Sequence, residues 1–385
     1  MALRIQDPTD PQSEYVIDAL LDACKGAQAG GGAFAFMSSG GVRLFLKDSL
    51  FSVFIDQGSF ELVVGVDAIT NTAAVNELVA VQQEHPTLGA RVLIPSHPRS
   101  IFHPKFAWFD HGNGGLLLAG SGNLTAGGLR WNIEAFSVEE LDAAKMAAVR
   151  TRWDSFLQRT SGCQRAPSDA LVVALLERNA ARRQAMHQAG IVAPAEVEEE
   201  VTGAPEVEVP GYGAQPVVAQ VPPESVDEVP PIGDATPVLI AEIPKGSTRW
   251  EQANFSKETF INFFEASETV QRRAYFFHVR ADGTLAEQEV RPAVAVQSHN
   301  YRFELRAAKG LEYPAVGRPI GLFVRIASRT FLYMLLMPGT PGYPEITQLL
   351  DGHSPSGANM RRIEFDASTV RAAWPASPVW QRLTV

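Results

Sequence analysis

The first 190 residues alternate short apolar runs with amphipathic stretches, a pattern typical of strands and helices in succession. Apolar residues at helical spacing follow Asp10-Pro11, which predicts a helix that ends at Gly30-Gly31-Gly32. Further helices are predicted at 72–84 and along the amphipathic stripe 146–157. Buried strands are predicted at 33–37, 60–66, 90–94, 102–109 and 116–120. This alternation predicts an α/β sandwich with a mixed central sheet.

Residues 245–385 show the alternation of apolar and polar positions that is typical of strands. The predicted strands are 274–280, 301–306, 320–326 and 331–337, with turns at Asp282-Gly283, Lys309-Gly310 and Pro338-Gly339. One amphipathic helix is predicted within 255–264, with Ser256 as its N-cap. We therefore predict a mostly β domain, built as a compact barrel or pseudobarrel.

The segment 191–244 differs from both flanks, because it has no Lys or Arg, 11 Asp or Glu, and ten prolines. Such a segment cannot bury enough apolar surface to offset its loss of chain entropy. It predicts an acidic linker between a domain at 1–190 and a domain at 245–385. A second interpretation is that the linker mimics DNA and inhibits the enzyme. Deleting residues 194–235 would distinguish the two interpretations by its effect on basal activity.

The whole chain of 385 residues has a formal net charge of −10 and only two cysteines, too few for a disulfide framework. Its first residues lack the basic and apolar regions of a signal peptide. The longest strongly apolar run, 331–337, is far shorter than the roughly 20 residues that span a bilayer. These features predict a cytoplasmic protein that does not insert into a membrane.

Candidate chemistry is concentrated between residues 103 and 134. The imidazole of His103 can attack phosphorus and form a covalent phosphohistidine, and Lys105 can neutralise charge on the phosphoryl oxygens. Ser121 and Asn123, two apart on a glycine-rich bend, can donate hydrogen bonds to the same oxygens. Glu134 can accept the proton on the far ring nitrogen of His103. Because imidazoles and Lys105 can carry the reaction, we predict that no metal or other cofactor is needed and that cleavage persists in EDTA.

These residues resemble the phospholipase D superfamily, whose signature is His-x-Lys-x4-Asp followed by Gly-Ser-x-Asn. The matching positions are His103, Lys105, Asp110, Gly120, Ser121 and Asn123, and Leu124 and Thr125 continue a run typical of the superfamily's nucleases. A longer gap after Asp110 predicts an inserted hairpin turn at 111–115, and Asp110 has the weakest claim to a role in the site. The resemblance implies a homodimer in which two copies of His103 share one composite site, one as nucleophile and one as general acid.

The C-terminal region is rich in arginine, whose guanidinium group can bind phosphate or the edge of guanine. The candidate DNA-binding residues are Arg272, Arg273, Asn300, Arg302, Arg318, Arg361 and Arg362. The alternative is that these arginines are ordinary surface partners of nearby glutamates such as Glu304, Glu312 and Glu364.

A nuclease of this superfamily joined to a β-rich domain is similar in domain order to the BfiI-type restriction endonucleases. The resemblance implies a metal-independent endonuclease that hydrolyses DNA in restriction or antiviral defence, with the C-terminal domain selecting the site. Two alternatives remain open. One is a phospholipase or phosphatidyl transferase, and the other is a nucleic-acid-binding scaffold protein without turnover. An activating partner or ligand is not identified by the sequence.

Overall fold

The computed structural model describes residues 2–66, 70–96, 101–188, 232–245, 250, 252–266, 272–286, 289–293, 301–354 and 360–380. These residues form two compact units, the first up to residue 188 apart from 9–11, and the second from residue 232 onwards. Within the ranges given, no helix is both long enough and apolar enough to cross a membrane.

The first unit contains a large mixed sheet, as the sequence predicts. Its strands are β1 (Ala2–Gln6), β2 (Ala29–Phe34), β3 (Ser59–Gly65), β4 (Leu88–Leu93), β5 (Lys105–Asp110), β6 (Gly114–Gly120), β7 (Glu134–Asp142) and β8 (Gln164–Arg165). Its helices are α1 (Val16–Cys24), α2 (Ser39–Phe45), α3 (Ser49–Gln57), α4 (Thr72–Glu84), α5 (Ala143–Arg159) and α6 (Ala170–Gln188). The strand order is β1-β7-β6-β5-β2-β3-β4-β8, and only the β2–β3 and β3–β4 pairs are parallel.

The predicted end of the first helix at Gly30-Gly31-Gly32 is wrong, because these three glycines lie inside β2. The reason is that neighbouring aromatic rings leave no room for side chains at these positions. A Cβ atom on Gly31 would lie 2.7 Å from Nε1 of Trp108, and one on Gly30 would lie 2.8 Å from the ring of Phe60. Aromatic rings of neighbouring strands thus fill the positions that side chains of β2 would occupy.

Helices lie on both faces of the sheet, as expected for a sandwich. On one face α5 packs on β6 and β7, and its buried Met146 and Trp153 join a cluster with Trp108. The other face is approached by α1 through Val16 and Leu20. The end of β2, the start of β5, the end of β6 and the start of β7 meet at one edge of the sheet.

The second unit has a six-stranded sheet and a two-stranded sheet. Its strands are β9 (Pro237–Glu242), β10 (Gln252–Asn254), β11 (Arg272–His278), β12 (Glu289–Ala293), β13 (Arg302–Glu304), β14 (Ile320–Ala327), β15 (Thr330–Leu336) and β16 (Arg362–Asp366). Its helices are α7 (Lys257–Asn262), α8 (Tyr343–His353) and α9 (Ala367–Ala373). The large sheet has the order β12-β11-β15-β14-β9-β16, and β10 pairs with β13. The predicted cap of α7 is confirmed, since Ser256 Oγ accepts a hydrogen bond from the Thr259 amide at 3.1 Å.

Two expectations for this unit need correction. The described residues form no closed barrel, because the six-stranded sheet is open between its edge strands β12 and β16, and α9 packs against β9 and β16. The linker was predicted to run to residue 244, yet β9 lies within the large sheet between β14 and β16. Its residues from Val238 to Glu242 are buried, unlike the residues of a solvated linker. Residues 191–231 of the predicted linker lie outside the described residues.

Candidate active site

His103 lies just before β5, at the sheet edge where four strand ends meet. The carbonyl of Pro104 accepts a hydrogen bond from the Ala35 amide at 2.8 Å, which fixes this segment beside the end of β2. The ring of Phe36 then meets the ring of His103 edge-on, with 5.8 Å between centroids. The histidine is therefore held by the backbone on one side and by an aromatic ring on another, while its side chain remains open to solvent.

The ammonium group of Lys105 contacts the imidazole of His103 directly. Lys105 Nζ lies 3.2 Å from Nδ1 and 3.1 Å from Nε2 of the ring. Partial burial lowers the pKa of His103 below its ordinary value, and the positive charge of Lys105 lowers it further. Burial also lowers the pKa of Lys105, an effect that the negative charge of Glu134 partly offsets. The pair therefore favours an uncharged imidazole beside an ammonium ion at neutral pH.

Ser121 and Glu134 come together where β6 ends and β7 begins. The Ser121 hydroxyl donates to Glu134 Oε2 and accepts from the Ala135 amide at 3.0 Å. The other carboxylate oxygen of Glu134 accepts from Asn132 Nδ2 at 3.2 Å. The expected contact between Glu134 and His103 is not formed by these described side chains, because both oxygens of Glu134 face the β6–β7 connection. Glu134 instead acts on Lys105 through its charge.

Asn123 is oriented by a residue that the sequence did not single out. Its Oδ1 accepts a hydrogen bond from the Phe36 amide at 3.2 Å, which directs Nδ2, the donor end of the amide, away from Phe36. The Phe36 carbonyl accepts from the Leu124 amide at 3.1 Å. Phe36 thus links His103 and Asn123 through its ring and its backbone. Its position within the strand predicted at 33–37 gave no signal of this role.

The glycines of the Gly-Ser-x-Asn element allow backbones to approach closely. A Cβ atom on Gly120 would lie 2.5 Å from Cβ of Phe136, and one on Gly122 would lie 2.6 Å from the carbonyl oxygen of Gly128. Gly128 belongs to a π-helical turn, Gly127–Trp131, that connects the Asn123 bend to β7. Single π-helical turns of this kind are frequent at functional sites.

Asp110 lies at the opposite end of β5 from Lys105, roughly 16 Å away at the rise of an extended strand. Its Oδ1 accepts from the Gly112 amide and its Oδ2 from Arg150 Nη1, each at 2.8 Å. The predicted hairpin turn is present, with β6 beginning at Gly114. Asp110 stabilises this turn and does not take part in the candidate site.

Two of the candidate DNA-binding arginines, Arg318 and Arg361, bind the carboxylate of Glu242. Arg361 is buried, donates to both oxygens of Glu242 and contacts Asp351, and Arg318 also donates to Glu242 at 2.9 Å. Burial alone would raise the pKa of Glu242, but hydrogen bonds from both arginines and the charge of Arg361 lower it below its ordinary value. These contacts give Arg318 and Arg361 a structural role, and DNA contact by either residue stays a prediction. Their partner is Glu242 of β9, which is not among the glutamates expected from the sequence.

The other candidate arginines are less constrained by described contacts. Arg362 donates to the Asn254 carbonyl at 2.9 Å, and Arg302 is exposed on β13. Arg273 is partly buried on β11, and for Arg272 only the backbone is described. Asn300 lies outside the described residues. DNA contact by these residues stays a prediction.

Across the described ranges, no three His, Cys, Asp or Glu side chains come together in a way that could hold a metal ion. The candidate site itself offers one imidazole, one ammonium group and one carboxylate, which suit charge neutralisation and proton transfer at an anionic substrate.

No family model and no curated protein matches the sequence. Among solved structures, the chain is similar to NucT from Helicobacter pylori, with 13% identity, a TM-score of 0.29, and 39% of this chain and 90% of that chain covered. It is also similar to Nuc from Salmonella typhimurium, a phospholipase D family member, with 14% identity, a TM-score of 0.32, and 43% and 96% covered. A third is phosphatidylserine synthase from Haemophilus influenzae, with 13% identity, a TM-score of 0.31, and 49% and 47% covered. At such identities, function has to be argued from the residues of the site.

Proposed function

We propose that this protein is a metal-independent endonuclease that hydrolyses DNA phosphodiesters through a covalent phosphohistidine at His103. The observation that carries the proposal is the contact of Lys105 Nζ with both ring nitrogens of His103, at 3.2 and 3.1 Å. An imidazole kept uncharged is a nucleophile, and an ammonium ion beside it suits a substrate whose reacting centre is anionic.

In the first step a ring nitrogen of His103 forms a bond to phosphorus as the bond to the leaving oxygen breaks, and that oxygen takes a proton from a general acid. In the second step water attacks the phosphohistidine, its proton passes to the same group acting as base, and the imidazole is released. The ammonium of Lys105 moves from the ring of His103 to the phosphoryl oxygens when substrate enters, and donates hydrogen bonds to them. Nδ2 of Asn123 donates to the same oxygens.

The remaining polar residues support this arrangement. Glu134 raises the pKa of Lys105 by its charge and so helps to keep the ammonium form that burial disfavours. The hydroxyl of Ser121 is bound to Glu134 in the free site. We propose that it turns toward the phosphoryl oxygens when substrate binds, while its acceptor contact with the Ala135 amide keeps its position.

A second imidazole is needed as general acid, and the described site contains only His103. We propose that a second copy of the chain supplies it across a twofold axis, so that two His103 residues form one composite site. An exposed apolar strip beside Glu134 supports this assembly. Leu3, Ile5 and Ile133 are 74%, 58% and 72% exposed, and Ile5 pairs with Ala135 on β7. Burying each side chain would stabilise a dimer by roughly 1.5–3 kcal/mol.

A mixed dimer tests the composite site. Wild-type and His103→Ala chains bearing different affinity tags are co-expressed, and the mixed species is purified through both tags. Because loss of a general acid costs about 10²–10⁴-fold in rate, we expect the mixed dimer to retain about 1% of wild-type activity or less. Retention of half the activity would show two independent sites and contradict the proposal.

The apolar strip is tested by Ile5→Asp, which we expect to give a monomer in size-exclusion chromatography with light scattering and the same loss of activity. Val53→Asp is the matched control, since Val53 is 59% exposed on α3 and outside the strip. A fully active monomeric Ile5→Asp protein would contradict the assembly.

The choice of DNA and of a role in restriction or antiviral defence rests on the similarity in domain order to BfiI-type restriction endonucleases. In this proposal the β-rich second unit selects the DNA site, and exposed Arg302 is its best placed candidate contact. A guanidinium group suits either a phosphate or a guanine edge.

The substrate is tested by incubating the protein in excess EDTA with supercoiled plasmid, with single-stranded DNA, and with phosphatidylcholine vesicles. We expect nicked or linear plasmid and intact lipid. Hydrolysis of the vesicles with intact DNA would instead identify a phospholipase, and DNA binding without cleavage would identify a scaffold protein. Either result would contradict the proposed function.

A further inference from the structure

Gln6 is the last residue of β1 and its side chain is fully buried. It pairs across the sheet with Glu134, the first residue of β7. We propose that Gln6 is a positioning residue that holds the segment between Asn123 and Glu134 in the arrangement needed for reaction. The inference rests on the phosphodiesterase activity proposed above, since it assigns Gln6 a role in that same site.

The carboxamide of Gln6 joins three parts of the chain. Its Nε2 donates to the carbonyl oxygen of Asn132 at 2.9 Å and to that of Gly128 at 3.3 Å. Its Oε1 accepts from the amide of Val16, the first residue of α1, at 3.0 Å. A carboxamide has two donor hydrogens and one acceptor oxygen, so this single side chain matches two carbonyls and one amide that are otherwise costly to bury.

Both carbonyls that bind Gln6 lie next to residues of the candidate site. The side chain of Asn132 donates to Glu134, so a shift of Asn132 moves the carboxylate. Gly128 packs so closely on the Asn123 bend that a Cβ atom on it would lie 2.4 Å from the Asn123 amide nitrogen. The bond from Gln6 to Gly128 therefore holds the part of the chain that packs on Asn123, and the bond to Asn132 holds the part that binds Glu134.

A second contact holds the same π-helical turn from another direction. The guanidinium carbon of Arg130 lies 3.7 Å from the ring centroid of Tyr15, and both side chains are almost fully buried. Tyr15 directly precedes Val16, the residue whose amide binds Gln6. Cation–π contact and the Gln6 carboxamide thus join the start of α1 to the turn, and the turn has little freedom to move.

The test is Gln6→Glu, which keeps the size of the side chain and the acceptor toward Val16 but removes the two donors. The carboxylate then faces two carbonyl oxygens, and the turn has to shift. Because a misplacement of about 1 Å can cost about 10²-fold, we expect kcat for bis(p-nitrophenyl) phosphate in EDTA to fall roughly 10–100-fold with KM within about twofold of wild type.

The pH dependence separates positioning from a general loss of structure. Burial near carbonyl oxygens raises the pKa of a glutamate at position 6, and its protonated form regains one O–H donor. The ratio of kcat in Gln6→Glu to kcat in wild type should therefore rise as the pH falls. Gln6→Met, which cannot donate at any pH, should show a low ratio that does not depend on pH.

The matched control is Gln164→Glu, because Gln164 Nε2 also donates twice, to the Leu157 carbonyl and to Thr160, at the far end of α5. Hydrogen exchange is measured on all proteins, and we expect faster exchange in peptides covering 123–134 for the Gln6 variants only. Unchanged exchange there, or kcat equal to wild type, would overturn the inference. If wild-type protein shows no turnover, the proposed function fails, and exchange alone decides whether Gln6 holds the turn.

Discussion

His103→Ala is expected to abolish DNA cleavage in EDTA, with a loss of at least about four orders of magnitude in rate. The substitution removes the atom that bonds to phosphorus, and in a composite dimer it removes the general acid as well. Neither Lys105 nor Asn123 can replace a nucleophile, since the first is held as an ammonium ion and the second is an uncharged amide. The measurement is the initial rate of plasmid nicking at equal protein concentration.

His111→Ala is the matched control. His111 lies in the β5–β6 turn, beside Asp110 at the far end of β5, and it should retain wild-type activity. A second control is the DNA-binding affinity of His103→Ala, which should be close to that of wild type because phosphate contacts by Lys105 remain. A His103→Ala protein that cleaves within about tenfold of wild type would exclude a phosphohistidine at this position.

Lys105→Met is expected to lower kcat by about 10²–10³-fold, the range found when one preorganised donor to a developing charge is removed. The pH profile should also change. The charge of Lys105 lowers the pKa of His103, so its removal raises that pKa toward the value that burial alone would give. Because His103 has to be unprotonated to attack, the acidic limb of the kcat/KM profile should move to higher pH.

Two matched variants separate the effect of the Lys105 charge from the effect of its geometry and from the loss of any other lysine. Lys105→Arg keeps the positive charge, so its acidic limb should stay near that of wild type even if its different geometry lowers the rate. Lys25→Met removes an exposed lysine that pairs with Asp22 on α1, and it should change neither kcat nor the profile. A shift of the acidic limb to lower pH in Lys105→Met would contradict the claim that the charge of Lys105 lowers the pKa of His103.

Local signals in the sequence account for the elements that were predicted well. The helix at 72–84 was predicted at its observed bounds because its apolar period and its boundaries are contained in one short stretch. The order of strands around Lys105 and Ser121 follows from a hairpin, whose partners are near neighbours in the chain. The candidate site residues could be proposed from the sequence for the same reason, since the motif that contains them is defined by their spacing along the chain.

Features that depend on distant partners were missed. The three glycines of β2 have the composition of a loop, and only the rings of Trp108 and Phe60 make them a strand. The partner of Arg361 is Glu242, which lies 119 positions earlier and was assigned to a linker. Helices α8 and α9 were not predicted, and the arrangement of β16 beside β9 could not be read from alternation alone. Such pairings are fixed by tertiary packing, which overrides local propensity.

The glycine strand β2 connects the pairing of the central sheet to the geometry of the candidate site. Three consecutive glycines contribute no side chain to the core and little preference for an extended backbone, so β2 depends on β3 and β5 to be held in place. The end of this strand leads directly to Ala35 and Phe36, which anchor Pro104 and Asn123. The arrangement of Pro104 and Asn123 in the candidate site therefore depends on the pairing of β2 with β3 and β5, since the glycines of β2 supply no packing of their own.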